Sequence, residues 1–127
     1  MDFLLDTTVL IDVMRARNRR REFLTQLLRD GHTLATSVLN IAELYAGMRP
    51  GEEIRTEAFL SGLLCLDLTP SAARFAGKLK GQWSAKGRTL TLADTIIAAV
   101  SIENRCHLLT DNPRHFPMHD LNLFPLP

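Results

Sequence analysis

Apolar residues fall in short blocks along this chain, each closed by a polar or turn-forming residue. Phe3-Leu4-Leu5 stops at Asp6. His32-Thr33-Leu34-Ala35-Thr36 alternates weakly. Cys65-Leu66-Asp67-Leu68 and Cys106-His107-Leu108-Leu109-Thr110 are equally brief. Blocks this short predict strands. Between them lie longer stretches with apolar residues at helical spacing. Thr8 to Met14 forms one, with Thr7 or Thr8 as its N-cap. Phe23, Leu24, Leu27 and Leu28 define a second, ended by Asp30-Gly31. A third runs from Leu39 to Met48, capped by Ser37, with Ile41, Leu44, Tyr45 and Met48 as candidate buried positions. A fourth, Glu52 to Leu64, follows Pro50-Gly51 as the return arm of a helical hairpin.

Thr69-Pro70 opens the next helix, with proline at its first position. Thr91-Leu92-Ala93-Asp94 opens another, apolar on most of its surface through Ile102 and therefore predicted to be buried. Leu121 to Leu126 is expected to add an edge strand, stopped by Pro125 and Pro127. Strands alternating with helices predict an α/β fold with a mostly parallel central sheet of four to five strands flanked by helices.

Composition adds bounds. At 127 residues, one domain with a real core is expected. The formal charge of +1 gives no global field for nucleic acid, so a basic patch must be local. Arg15, Arg17, Arg19, Arg20 and Arg21 form such a patch: either a solvated helix face, or cations that contact phosphate or an acidic partner. Cys65 and Cys106 lack metal-ligand spacing and are expected to be buried free thiols. No secretory signal or apolar run of membrane-spanning length is present. A cytoplasmic, non-membrane protein is expected.

The chemistry lies in the acids. Asp6 and Asp111 each close a strand, which in a parallel sheet puts both at the carboxyl edge, where ligand sites collect. Asp94 begins a nearly apolar helix and Glu43 sits among apolar neighbours. Each has a plain alternative. Asp6 can cap a turn, Asp94 can belong to a capping box, Asp111-Asn112-Pro113 can be an ordinary turn, and Glu43 can be a half-exposed helix residue. Together they favour one site. Converging carboxylates repel, and a hard divalent cation such as Mg²⁺ or Mn²⁺ resolves the repulsion.

Four segments then carry a resemblance. Leu4-Leu5-Asp6-Thr7-Thr8-Val9-Leu10-Ile11 resembles the opening motif of the PIN domain. Asn40-Ile41-Ala42-Glu43-Leu44-Tyr45-Ala46-Gly47 resembles its second motif and Leu92-Ala93-Asp94-Thr95-Ile96-Ile97-Ala98-Ala99 its third. Leu108-Leu109-Thr110-Asp111-Asn112 through Phe116 resembles its fourth. The compact length is similar to the VapC-type toxins of toxin–antitoxin pairs. The resemblance implies a three-layer α/β/α fold and an endoribonuclease that uses one or two Mg²⁺ or Mn²⁺ ions. It implies catalytic and metal-binding roles for Asp6, Glu43, Asp94 and Asp111, the last at the family's most variable position. It also implies supporting roles for Thr7, Thr8, Thr110 and Asn112.

The implied partners are an RNA substrate (tRNA, rRNA or mRNA), a cognate antitoxin protein and a second copy in a homodimer. The arginine cluster then serves RNA or antitoxin, with Lys78, Lys80, Lys86 and Arg88 as further cations, and Trp83 and Tyr45 can stack on bases or pack in the core. His107, His115 and His119 are expected to be ordinary surface or edge residues. A haloacid-dehalogenase-type phosphatase also begins with a strand-terminal Asp, but it needs a second Asp where this chain has Thr8. A non-catalytic PIN-like module that binds RNA or protein is the other alternative, though such modules usually lose a core carboxylate.

Overall fold

The computed structural model describes residues 1–127. Its elements in order are β1 (Asp2–Leu5), α1 (Thr7–Met14), α2 (Arg20–Arg29), β2 (Thr33–Ser37), α3 (Val38–Ala46), α4 (Glu53–Leu60), β3 (Leu64–Leu66), α5 (Pro70–Ala85), α6 (Leu92–Glu103), β4 (His107–Leu109) and β5 (Asn122–Leu123). A single 3₁₀ turn, Pro113–His115, lies between β4 and β5.

The five strands form one sheet in the order β3-β2-β1-β4-β5, with every pairing parallel. β1 is therefore central and covered on both faces, which is why it reads as an unbroken apolar run. Its side chains alternate between two cores. Leu4 joins Ala76, Leu79, Ile97, Ala98 and Val100 of α5 and α6. Phe3 and Leu5 face Val9, Leu10, Leu24 and Leu27 of α1 and α2. The result is the three-layer α/β/α arrangement. Leu4 and Leu5 are completely buried, and each such side chain stabilises the fold by about 1.5–3 kcal/mol.

The register aligns the carboxyl ends of the central strands. Leu5 pairs with Leu109, and the Asp6 N–H extends the ladder to the Leu109 carbonyl at 2.9 Å. Asp6 and Thr110 therefore leave the sheet side by side. The first turn of α1 starts at once, and its N-cap is Asp6 rather than Thr7 or Thr8. The Asp6 carboxylate accepts from the Thr7 N–H at 2.8 Å, because a carboxylate at the N-cap meets an unsatisfied N–H and the positive end of the helix.

Other boundaries are shorter than the apolar pattern suggests. α3 ends at Ala46 with Gly47 as its cap, and only Leu44 of the four candidate positions is fully buried. α4 stops at Leu60. Cys65 lies on the exposed edge strand β3, so it is not the buried thiol expected, whereas Cys106 is buried. The last strand shrinks to Asn122–Leu123, since the prolines beyond it cannot donate to a ladder. α6 is buried as expected, from Ile97 through Ser101. No helix is long and apolar enough to cross a membrane.

Candidate active site

Asp6 is the best-supported side chain of the carboxyl edge. It is only 6% exposed. Thr110 Oγ1 donates to Oδ2 at 2.7 Å, and Asn40 Nδ2 donates to Oδ1 at 3.2 Å. Asn40 is wholly buried at the start of α3, where its side-chain oxygen completes a capping box with Ser37. Its amide also reaches Thr7 Oγ1 at 3.0 Å, and Thr7 Oγ1 donates to Glu43 Oε1 at 2.7 Å. One hydrogen-bonded chain thus runs from β4 through Asp6 and α1 to Glu43 on α3.

Burial pushes the Asp6 carboxyl above its ordinary value. The Thr110 and Thr7 hydrogen bonds pull it back down, and the charges of Asp94 and Glu43 push it further up. Acids from α3 and α6 therefore act on the one that ends β1. No lysine or arginine pairs with any of them. Asp94 has only the His115 ring, Nδ1 to Oδ2 at 3.5 Å. Thr91 caps α6 by accepting from the Asp94 N–H, which leaves the Asp94 carboxylate free of capping duty.

The carboxylates stand apart. No three His, Cys, Asp or Glu side chains are gathered tightly enough to enclose a bare metal ion. Glu43 is held by Thr7, and Asp94 lies beside His115. The donor set is oxygen-only, which matches Mg²⁺ or Mn²⁺. Mg²⁺ keeps several waters and takes one or two carboxylates plus substrate oxygens, so a closed cage is not required.

Asp111, next to Thr110 on the same edge, has a basic partner. Its Oδ1 accepts from Arg20 Nη2 at 2.8 Å, and its N–H donates to Thr8 Oγ1 at 3.2 Å. The charges acting on Asp6 are those of Asp94 and Glu43. Asp12, on the next turn of α1, is 8% exposed. Burial raises its carboxyl above the ordinary range, the neighbouring Asp111 raises it further, and Asn18 and Arg20 pull it down. Asp12 is a residue that the sequence reading missed. The signal was present: an acid set within the apolar run Val9 to Met14 of a buried helix.

Arg20 departs from the expected surface patch. It is 6% exposed, Nη1 donates to the carbonyls of Pro127 at 3.0 Å and Asn18 at 3.3 Å, and buried Nε has no hydrogen-bond partner. Arg21 is tied to the Val13 carbonyl at 2.8 Å. Arg17 and Arg19 are exposed, and Arg15 is half-buried. Among the other cations, Lys80 donates to the Leu90 carbonyl, Arg88 to the Arg114 carbonyl, and Lys86 lies over Trp83. Trp83 packs against the α5–α6 core. Asn112 is exposed, and its N–H donates to Thr110 Oγ1 at 3.0 Å. Thr8 accepts a backbone hydrogen bond at the position where a dehalogenase-type phosphatase needs its general acid.

A parallel sheet with acids from three elements at its carboxyl edge defines the class, and the chain belongs to the PIN-domain family: the PIN domain model matches residues 3–119. Ribonuclease VapC19 of Mycobacterium tuberculosis (strain ATCC 25618 / H37Rv) is 36% identical over 115 residues, covering 91% of this chain and 92% of that protein. Ribonuclease VapC10 of the same strain is 33% identical over 117 residues, covering 92% and 87%. Among solved structures, VapBC2 from Rickettsia felis bound to a DNA fragment from its promoter superposes with a TM-score of 0.87 at 24% identity, covering 98% of both chains. VapBC-1 from nontypeable Haemophilus influenzae gives 0.79 at 26% identity, covering 98% and 97%.

Proposed function

We propose that the chain is a metal-dependent endoribonuclease that hydrolyses RNA phosphodiester bonds, acting as the toxin of a toxin–antitoxin pair and working as one domain over its whole length. The observation that carries this reading is Asp6: a buried carboxylate at the end of the central strand, with Asp94 and Glu43 acting on it and no lysine or arginine paired with any of the three. Such a grouping costs stability. It makes sense as a place where a cation and a phosphodiester meet. The names of the VapC relatives and VapBC complexes support the same conclusion.

Asp6, Glu43 and Asp94 would hold Mg²⁺ or Mn²⁺. A divalent ion bound there lowers the pKa of a water and draws charge from the phosphodiester. The protein's own part is orientation. Thr110, Asn40 and the Thr7 N–H fix both oxygens of Asp6, and Thr7 fixes Glu43. Outer hydrogen bonds of this kind set the direction and basicity of ligating carboxylates. Exposed Arg17 and Arg19 bring a polyanion toward an acidic site that would otherwise repel it.

An antitoxin protein fits the apolar groove between α2 and α4. The groove has a volume of about 430 Å³ and is lined by Met14, Leu24, Leu28, Phe59 and Leu63, with Arg21 and Arg55 beside them. Exposed Ile54, Leu64 and Leu92 offer surface for a homodimer.

The test incubates purified protein with tRNA, rRNA and mRNA in Mn²⁺ or in chelator. Cleavage in metal alone, lost in Asp6→Asn and Asp94→Asn, supports the reading. Undiminished cleavage in chelator or by both variants overturns it. Folded protein that binds RNA without cutting it marks a non-catalytic module.

A further inference from the structure

A second concavity, of about 440 Å³, lies beside the carboxylates. Phe124, Pro125, Leu126 and Pro113 provide apolar walls, and Thr110, Asp111 and Arg20 provide the polar groups. Thr110 belongs to both places, because its hydroxyl is also the one that holds Asp6 at 2.7 Å. The pocket therefore adjoins the point where a phosphodiester would be cut.

The polar groups are unevenly available. Arg20 gives Nη2 to Asp111 and Nη1 to the Asn18 and Pro127 carbonyls. It is buried and cannot swing out. Thr110 Oγ1 already donates to Asp6 and accepts from the Asn112 N–H. Asp111 is different. Arg20 takes only Oδ1, and its side chain remains 27% exposed. Asp12, a neighbour of Asp111, lies 3.9 Å from Nε of the same guanidinium. Two carboxylates thus face one cation, leaving local negative charge that disfavours a phosphate. An uncharged group with N–H donors suits the open carboxylate oxygen, and flat apolar walls suit a ring.

We propose that this pocket is a subsite for an unstacked nucleobase of the RNA strand next to the scissile phosphate, with Asp111 Oδ2 accepting from an amino or ring N–H of the base. Asp111 is then a specificity residue held by Arg20, and not a fourth metal ligand. The assignment rests on the ribonuclease reading.

The test cleaves a randomised RNA library with Mn²⁺, sequences the ends, and separately titrates Mn²⁺ binding by calorimetry. The wild-type protein should prefer one base, or the bases sharing a donor edge, at one position beside the cut. Asp111→Asn should reduce that preference about tenfold, the worth of one base-edge contact, while Mn²⁺ affinity stays within about twofold. Leu123→Trp fills the pocket mouth from an exposed edge position without touching the carboxylates, and should blunt the same preference. Thermal melts confirm that both variants fold. Wild-type cleavage without base preference, a preference unchanged in both variants, or lost Mn²⁺ binding in Asp111→Asn overturns the subsite. A pocket shielded by antitoxin but indifferent to RNA overturns it as well. Absence of any wild-type cleavage instead counts against the ribonuclease reading itself.

Discussion

Thr110 Oγ1 donates to Asp6 Oδ2 across 2.7 Å, joining residues 104 positions apart. That bond opposes burial, the largest influence on the Asp6 carboxyl. Thr110→Val keeps the shape and removes the donor. A hydrogen bond to a charged group contributes about 1.5–3 kcal/mol. Cleavage near neutral pH should therefore fall about tenfold or more, and the acid limb of the pH–rate profile should move to higher pH.

Asp6 also sets a stability trade-off. Its carboxyl is raised in the folded protein, so the folded state favours the protonated form. The associated stability is fully present below the unfolded value of 3.8 and is lost as pH rises through the folded value. At neutral pH the charged carboxylate is a burden. Asp6→Asn should therefore raise the neutral-pH melting temperature by several degrees, for a gain of about 1 kcal/mol. Calorimetry below pH 4 should show the gain vanish. Added Mn²⁺ should stabilise the wild type and leave the variant unmoved.

Arg20 joins Asp111, Asp12, the α1–α2 connection and the Pro127 carbonyl. Arg20→Met leaves two acids without their cation, and breaking a buried pair costs about 3–5 kcal/mol. Urea titration should show that loss. Adding Asp12→Asn and Asp111→Asn to Arg20→Met should recover most of it. No recovery would mean that Arg20 stabilises through packing alone.

Arg17 and Arg19 are exposed members of the same cluster whose guanidinium groups, unlike that of Arg21, are not tied to a backbone carbonyl. Replacing either with Gln should weaken RNA binding uniformly across sequences and reduce the salt slope by about one. Folding stability should hold, since the Arg19–Glu22 pair at 3.7 Å is exposed and such pairs contribute little. Binding isotherms at several salt concentrations measure the slope.

The layers, the parallel sheet and the acids at its edge were legible in the sequence because they follow from block length and from where each block ends. Asp6 was visible as the terminus of an apolar strand. Its second task, capping the turn into α1, was the plain alternative reading of the same residue, although Thr7 or Thr8 suits the N-cap equally well by type. Asn40 appeared within a motif but not as a site residue, since its hydrogen bonds to Asp6 and Thr7 depend on how α3 is placed. The burial of Arg20 was illegible for a backbone reason. Ala16, Asn18 and Arg19 all adopt positive φ, at 52°, 55° and 56°. Non-glycine residues seldom take that conformation, so residue type gives no hint of it. The resulting tight connection separates Arg20 from the neighbours with which it seemed to form a patch.

The central position of β1 has a consequence for the timing of synthesis. A chain arrested before residue 107 has neither β4 to flank β1 nor Thr110 to grip Asp6. Pairing between such distant segments is slow to form and requires most of the chain to be present. Until then Asp6, Glu43 and Asp94 lack the arrangement that the folded domain gives them. The hydroxyl that completes the arrangement arrives only when translation of the strand beside it is finished.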